Sequence, residues 1–259
     1  MKFSIITVTY NSEQFIRKTI ESVLEQTYPD IEYIVVDGNS TDSTCKIIKE
    51  YQDRISIFIS EPDENMYDAI NKGMKLSSGD YISILNSDDY YVDKYVISKV
   101  ARYISQYKDK YAGVYGDLVK VDVNGKVIRK RKGFQIGYDE LLYSKKLSIV
   151  GHATFFMPRI SLETVGFYDY KKFSYACDYD FILRCFKHDR YKHIDIYIMC
   201  FRMHENSITA SGKLTKEITE VLAKHNYNKR SKLKRYIMYK YLWGKFIVKN
   251  VKFLLNKVI

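Results

Sequence analysis

No stretch of this 259-residue chain approaches the roughly 18 to 20 uninterrupted apolar residues needed to span a bilayer. The opening MKFSIITVTYNSEQF also lacks the small-residue cleavage site of a signal peptide, so a cytoplasmic protein is expected. Cysteine is scarce: Cys45, Cys177, Cys185 and Cys200 have neither CxxC spacing nor the density of a disulfide framework, which leaves reduced thiols and implies no zinc site. Glycine-rich phosphate loops are missing as well. The turn after the first apolar run is Tyr10-Asn11-Ser12-Glu13, without the glycines of a dinucleotide fingerprint. Gly212-Lys213 and Gly244-Lys245 lack the upstream glycine and the following Ser or Thr of a Walker A loop. Any nucleotide bound here needs another counter-charge for its phosphates. Internal repeats and low-complexity linkers are absent too.

Net charge is missing from residues 1–212, which are formally neutral. The 13 Lys or Arg from Lys213 to Ile259 stand against Glu217 and Glu220 and account for the whole chain's +11. A neutral body with a basic tail points to a local surface drawn to something anionic, and it argues against nucleic acid as a partner of the body. The 25 tyrosines fit carbohydrate stacking, and they fit equally a composition biased toward Lys, Ile, Asn and Tyr.

What is present is a rhythm. FSIITVT, IEYIVVD, ISIFIS and DYISILN are short apolar runs, separated by the helical patterns EQFIRKTIESVLEQ, TDSTCKIIKEYQ and MYDAINKGMKL. That alternation predicts βαβ units and an α/β fold with a largely parallel sheet covered by helices on both faces. Ligands collect at the carboxyl ends of such strands, and here those ends are polar: Thr9-Tyr10-Asn11, Asp37-Gly38-Asn39-Ser40, Glu61-Pro62-Asp63 and Asn86-Ser87-Asp88-Asp89. Further on, a helix is expected over 94–107, then a hairpin in AGVYGDLVKVDVNGKVIRKRKGF whose Asn124-Gly125 favours a type I′ turn. A strand HATFFMP, a helix opening at CDYDFILRCF and a strand HIDIYIMC follow, so the sheet is mixed. Asn86-Ser87-Asp88-Asp89 carries carboxylates suited to a divalent cation that neutralises a diphosphate; a solvated turn has the same composition.

Four ordered blocks carry a resemblance: SIITVTYNSEQFIRKTIESVLEQTYPDIEYIVVDGNSTDST, ISEPDENMYDAINKGMKLSSGDYISILNSDDYY, HATFF and CDYDFILR. Over nearly all of residues 2–210 the chain resembles family 2 of the inverting bacterial glycosyltransferases. The resemblance implies a GT-A, Rossmann-like fold for residues 1–212 and a nucleotide-sugar donor. It places Thr9, Tyr10 and Asn11 around the base and ribose, with Asp37 hydrogen-bonding the base, usually uracil, and Asn39 in the same loop. Asp68 and Asn71 are expected near the ribose, diphosphate or sugar, although i, i+3 spacing also describes a plain polar helix face.

Asn86, Ser87 and Asp88 stand where relatives carry DxD, with Asn in place of the first Asp. Asp88 is then the expected ligand for Mg2+ or Mn2+, Asp89 the second, and His204 an additional one. The base that removes the acceptor's proton falls at Asp178, with Asp180 as the other candidate; a helix amino terminus favours the ionised form of either, and both suit mere stabilisation of the helix start. His152 is placed near the acceptor or a phosphate. The loops over 126–150 are expected to shape the acceptor site.

The remainder, 213–259, reads as basic helices separated near Asn228 to Ser231. Trp243, Phe246, Ile247, Val251, Leu254, Leu255 and Val258 recur at helical spacing among lysines, the pattern of an interfacial helix on an anionic membrane or of a helix docked on the body. The expected enzyme moves a hexose or N-acetylhexosamine from a UDP-sugar to a saccharide acceptor, polyprenyl-diphosphate-linked, in surface polysaccharide assembly such as capsule or lipopolysaccharide. It would work peripherally at the inner face of the cytoplasmic membrane. A GDP- or dTDP-sugar donor, or a non-catalytic nucleotide-binding or nucleic-acid-binding module, are the alternatives.

Overall fold

The computed structural model describes residues 1–144, 149–204 and 213–255. Four strands, β1 (Phe3–Thr9), β2 (Ile31–Asp37), β3 (Ile57–Ser60) and β4 (Tyr81–Ile84), pair in parallel in the order β3-β2-β1-β4. Their apolar runs have no polar face because both faces are covered. All of β1 is buried, and alternate residues enter different cores: Ile6 and Val8 one, Phe3 and Ile5 the other. Helices α1 (Ile16–Leu24) and α2 (Thr44–Lys49) fill the second core. Helix α3 (Met66–Leu76) fills the first.

Beyond β4 come a short β5 (Tyr90–Tyr91), α4 (Val96–Tyr107), and the antiparallel pair β6 (Gly113–Val121) and β7 (Val127–Arg131). Then follow α5 (Tyr138–Ser144), β8 (Phe155–Pro158), α6 (Leu162–Val165), α7 (Cys177–His188) and β9 (Tyr191–Arg202). The sheet continues as β4-β8-β6-β9-β5, mixed in direction as expected. The hairpin differs from expectation in its turn. Gly125, at φ +83, is left-handed and Asn124 is not; Asp122 accepts the Gly125 N–H at 3.0 Å, and its side chain accepts the Asn124 and Lys126 N–H groups, each at 2.9 Å. One left-handed glycine after a hydrogen-bonded turn is the longer hairpin connection, whereas type I′ needs two positive φ values.

The basic tail forms α8 (Lys213–Lys224) and α9 (Lys232–Leu255). Val221, Leu222, Tyr227 and Leu242 are buried in the same core as α3 and α7, each contributing about 1.5–3 kcal/mol by leaving water. Asn250 closes the contact, accepting the Lys132 N–H at 3.0 Å and donating to the Lys132 carbonyl at 3.1 Å. Residues 213–250 are thus docked on the body along one face. The side chains of Val251, Leu254, Leu255 and Val258, expected in the apolar stripe, lie outside the described residues, as do residues 145–148 of the 126–150 loops.

Helix α3 lies against β1 through Gly73, where an added Cβ would sit 2.5 Å from Ile6 Cγ2. Gly73→Ala is therefore expected to cost about 1–3 kcal/mol despite alanine's higher helix propensity. Urea unfolding measures it, and an alanine variant as stable as the parent would show that this interface has slack.

Candidate active site

The strand ends converge as expected. Parallel register sets Ile6 beside Ile84, so the residues after β1 and β4 emerge side by side. The antiparallel register of β4 with β8, Ile82 against Met157, brings the turn of residues 152–154 to the same edge. Two buried polar atoms there have no hydrogen-bond partner, Thr9 Oγ1 and Asn86 Oδ1. An orphaned buried group is costly, and a polar ligand at this edge would satisfy both. Tyr10 is exposed beside Gly38, its ring 3.5 Å from where a Cβ on Gly38 would lie. Asn11 and Asn39 take left-handed backbone, φ 47 and 64, which asparagine tolerates. Asn11 Oδ1 accepts the Thr41 N–H at 2.9 Å and so ties the first loop to the second.

Asp37 is fully buried and committed. Its carboxylate accepts the Ser40 N–H (2.9 Å) and the Ser40, Ser60 (2.6 Å) and Cys45 (3.0 Å) side chains. Burial pushes it up, but these donors outweigh burial and hold it below the ordinary carboxylate range. Contact with a base requires Ser60 or Cys45 to turn away. Asn71, expected near the ribose, diphosphate or sugar, is buried, with its amide accepting the Tyr168 N–H and donating to the Tyr168 carbonyl, both at 2.9 Å. Asp68 stays at the amino end of α3, partly buried, accepting the Glu64 N–H at 3.2 Å.

After β4, Ser87 holds the turn, its Oγ donating to Ser12 Oγ at 2.9 Å and its carbonyl accepting Thr19 Oγ1. Asp88 and Asp89 then part. Asp88 Oδ2 lies 2.8 Å from His204 Nε2, both partly exposed, and the His204 ring packs on Phe15 with centroids 5.6 Å apart. Asp89 is only 1% exposed; it accepts the Arg202 N–H at 3.0 Å, and burial followed by the Asp88 charge pushes its carboxyl well up. As a metal ligand Asp89 is corrected: its oxygens face inward.

An imidazole nitrogen and a carboxylate meeting at one open point suit Mn2+ or Mg2+ completed by a diphosphate. Among the described residues no group of three such side chains exists, so the donor would supply the remaining ligands. Arg202, which sequence reading missed, fixes this corner: its Nε donates to the Asp88 carbonyl at 3.0 Å, its guanidinium also reaches the Val123 carbonyl (2.5 Å), and it lies over the Phe15 ring.

At the start of α7 the two candidate carboxylates separate completely. Asp180 has no exposure and is caged by Arg184 Nε (2.9 Å), Lys224 Nζ (2.9 Å) and His225 Nε2 (3.2 Å). Burial opposes its ionisation, yet these partners hold its carboxyl far below the ordinary range. It cannot take an acceptor's proton, which corrects the second candidate. Asp178 is only partly buried and its Oδ1 accepts the Tyr179 N–H at 2.7 Å. Burial pushes its carboxyl up, past the opposing effect of His152, contrary to the low value expected from the helix terminus alone. A raised carboxylate is the stronger base.

His152 donates to or accepts from Tyr168 OH at 2.5 Å, and burial pushes its pKa down. That bond to Tyr168 occupies its Nε2. Tyr168 stacks on Phe181 of α7 at 4.2 Å and on Tyr67 of α3 at 5.5 Å, a packed wall behind Asp178 that no motif announced.

The two carboxylates should differ in stability as sharply as in surroundings. Asp180→Asn removes the buried carboxylate that pairs with Arg184 and Lys224, both partly buried, and is expected to cost about 3 kcal/mol at neutral pH. Because the folded carboxyl is depressed, this stabilisation is full above the unfolded value of about 4 and is lost as pH falls further. Asp178→Asn removes a carboxylate that the fold penalises when ionised, so its melting temperature should equal or exceed the parent's at neutral pH. Thermal unfolding of both variants checks this; equal losses would contradict the division.

The model "Glycosyl transferase family 2" matches residues 4–192. A PGL/p-HBAD biosynthesis glycosyltransferase of Mycobacterium tuberculosis is 30% identical over 199 residues, 74% of each chain. The Staphylococcus aureus poly(ribitol-phosphate) β-N-acetylglucosaminyltransferase TarS is 32% identical over 112 residues, 41% of this chain and 19% of that one. Among solved structures, S. aureus TarS 1–349 in complex with UDP-GlcNAc superposes with a TM-score of 0.72 at 19% identity, over 96% of this chain and 73% of that one. Mannosyltransferase PcManGT from Pyrobaculum calidifontis, in complex with GDP-Man and Mn2+, gives 0.61 at 14% identity, over 99% and 79%. At such identities the structures speak for the fold, which is GT-A, while the family match spans the strand ends from Thr9 to Asp89 and the start of α7. This chain therefore belongs to glycosyl transferase family 2 and is a glycosyltransferase.

Proposed function

We propose that the enzyme transfers a hexose or N-acetylhexosamine, with inversion, from a UDP-sugar to a lipid-linked saccharide acceptor, polyprenyl-diphosphate-linked, in surface polysaccharide assembly. The observation that carries the reading is the meeting of Asp88 and His204 at 2.8 Å, 116 residues apart in sequence, at the edge where Thr9 and Asn86 keep unsatisfied polar atoms. The UDP-sugar bound to the TarS structure supports the choice of nucleotide. Tyr10 and Thr9 are proposed to line the base and ribose with Asn11 and Asn39, Asp37 to read the base once Ser60 or Cys45 yields, and Asn86 and Asp68 to meet ribose or sugar hydroxyls.

Asp88 and His204 would hold Mg2+ or Mn2+, which when bound neutralises the charge that the diphosphate gains as it leaves. The acceptor oxygen attacks the anomeric carbon from the face opposite the nucleotide. Its proton passes to a carboxylate oxygen of Asp178, and the old sugar–phosphate bond leaves its electron pair on UDP. Asp178 suits this because its charge is disfavoured by burial and partly relieved by accepting a proton. His152, fixed to Tyr168, serves as part of the wall behind it.

The acceptor would be met at a membrane surface. No described helix is long and apolar enough to cross a bilayer. With Leu242 and Phe246 turned to the core, α9 still exposes Leu233, Ile237, Tyr241 and Val248 along its outer side, with lysines between them. That is the arrangement of an interfacial helix, and each basic residue near an anionic surface adds about 1 kcal/mol.

Two measurements test the reading. In the presence of UDP, Asp88→Asn and His204→Ala should weaken Mn2+ binding on the order of tenfold or more, read by electron paramagnetic resonance. Asp178→Asn should keep Mn2+ and donor binding while turnover of a nucleotide-sugar panel falls about 10²- to 10⁴-fold. Undiminished Mn2+ affinity in both metal variants, or near-normal turnover of Asp178→Asn, contradicts the assignment. Separately, Ile237→Glu with Val248→Glu should abolish co-sedimentation with phosphatidylglycerol vesicles without lowering turnover of soluble substrate; unchanged sedimentation would show that α9 is not the membrane contact.

A further inference from the structure

Helix α7, which carries Asp178, has Ala176 at its N-cap with no side-chain cap from that residue, and inside the first turn the Tyr179 N–H goes to Asp178 itself. The N–H groups of the segment leading into the helix find their acceptor in the basic tail. Glu217 of α8 accepts the Ser174 N–H on Oε1 at 3.0 Å, and the Tyr175 and Ala176 N–H groups on Oε2 at 2.6 and 2.9 Å. Two turns further along α8, Lys224, followed by His225 just past its end, reaches Asp180 on the same helix. One face of the tail thus grips α7 on both sides of Asp178, at residues 174–176 and at 180. Glu217 is one of only two acidic residues in the tail, and it is spent on this contact.

We propose that Glu217 is a positioning residue for the catalytic base: it holds the peptide turn that aims the Asp178 carboxylate, so α8 belongs to the catalytic machinery as well as to a membrane-directed appendage. The proposal rests on the reading of Asp178 as the base. Three N–H groups taken by one carboxylate fix both the position and the orientation of the turn, and a displacement of about 1 Å at a reacting group can cost on the order of 100-fold in rate. No donor-binding residue described above touches Glu217, so its loss should leave the nucleotide pocket intact.

The test uses the full chain, UDP-GlcNAc as probe with Mn2+, and the release of UDP by slow hydrolysis, in which water stands in for the acceptor. Glu217→Ala should lower kcat tenfold or more while the dissociation constant for UDP-GlcNAc changes less than twofold. Glu217→Gln keeps one acceptor oxygen and should recover part of kcat. A folded Glu217→Ala with parental kcat, or with kcat and donor affinity falling in parallel, overturns the proposal. Where Glu217→Ala does not fold, Glu217→Gln decides alone: reduced kcat with unchanged donor affinity supports the positioning role, and parental kcat overturns it. Asp178→Asn in the same assay separates the two claims. Near-normal hydrolysis there removes the base assignment itself, whereas a dead Asp178→Asn beside a fully active Glu217→Ala removes only this inference.

Discussion

A buried carboxylate with no exposed surface, Asp180, ties α7 to the basic tail. Arg184 from its own helix and Lys224 and His225 from the tail converge on it, and a charge so deeply placed is tolerable only while those partners stay. The consequence reaches in two directions. Helix α7 is fixed against the body, with Arg184 also donating to the carbonyls of Val165 and Phe167, and α8 is fixed against α7. Two residues away Asp178 escapes the cage, so one carboxylate anchors the helix while the other keeps a raised proton affinity. Burial acts on both, and the presence or absence of cationic partners decides the outcome.

The turn after β4 divides its carboxylates in the same sequence order, the earlier one outward and the later one buried. Of the adjacent pair after β4, Asp89 turns inward to the Arg202 backbone and Asp88 turns outward to His204. Arg202 couples the two by bonding the Asp88 carbonyl while β9 carries His204 past it. The proposed metal corner would therefore be built from the turn between β4 and β5 and from the residues just past β9, which pairs with β5, a rigid setting for groups proposed to face a diphosphate.

Much of this was legible in the sequence. Continuous apolar runs with polar ends gave the parallel half of the sheet, and ordered blocks of motif gave the family and with it the GT-A fold and the transferase activity. What sequence could not give is the direction each polar side chain takes. Asn71 spends its amide on Tyr168, 97 residues away, and Asp37 divides its carboxylate between Ser40 in its own loop and Ser60 at the end of β3; composition and spacing carry no trace of such choices. Asn124-Gly125 was read as two left-handed residues because the dipeptide favours them, and the Asp122 side chain supported a longer connection instead. The tail's amphipathic pattern fitted a membrane helix or a docked one, and the structure shows a docked face with a separate apolar side left outward. Glu217 drew no attention since an acceptor 41 to 43 positions downstream of the N–H groups it serves has no local signature.

The most direct test is a crystal structure of the complex with Mn2+ and a non-hydrolysable UDP-sugar. The account predicts Mn2+ ligated by Asp88 and His204 and by the diphosphate, the anomeric carbon open toward Asp178, and Asp180 still enclosed by Arg184, Lys224 and His225. A diphosphate bound away from Asp88, or an anomeric carbon facing a residue other than Asp178, would contradict it.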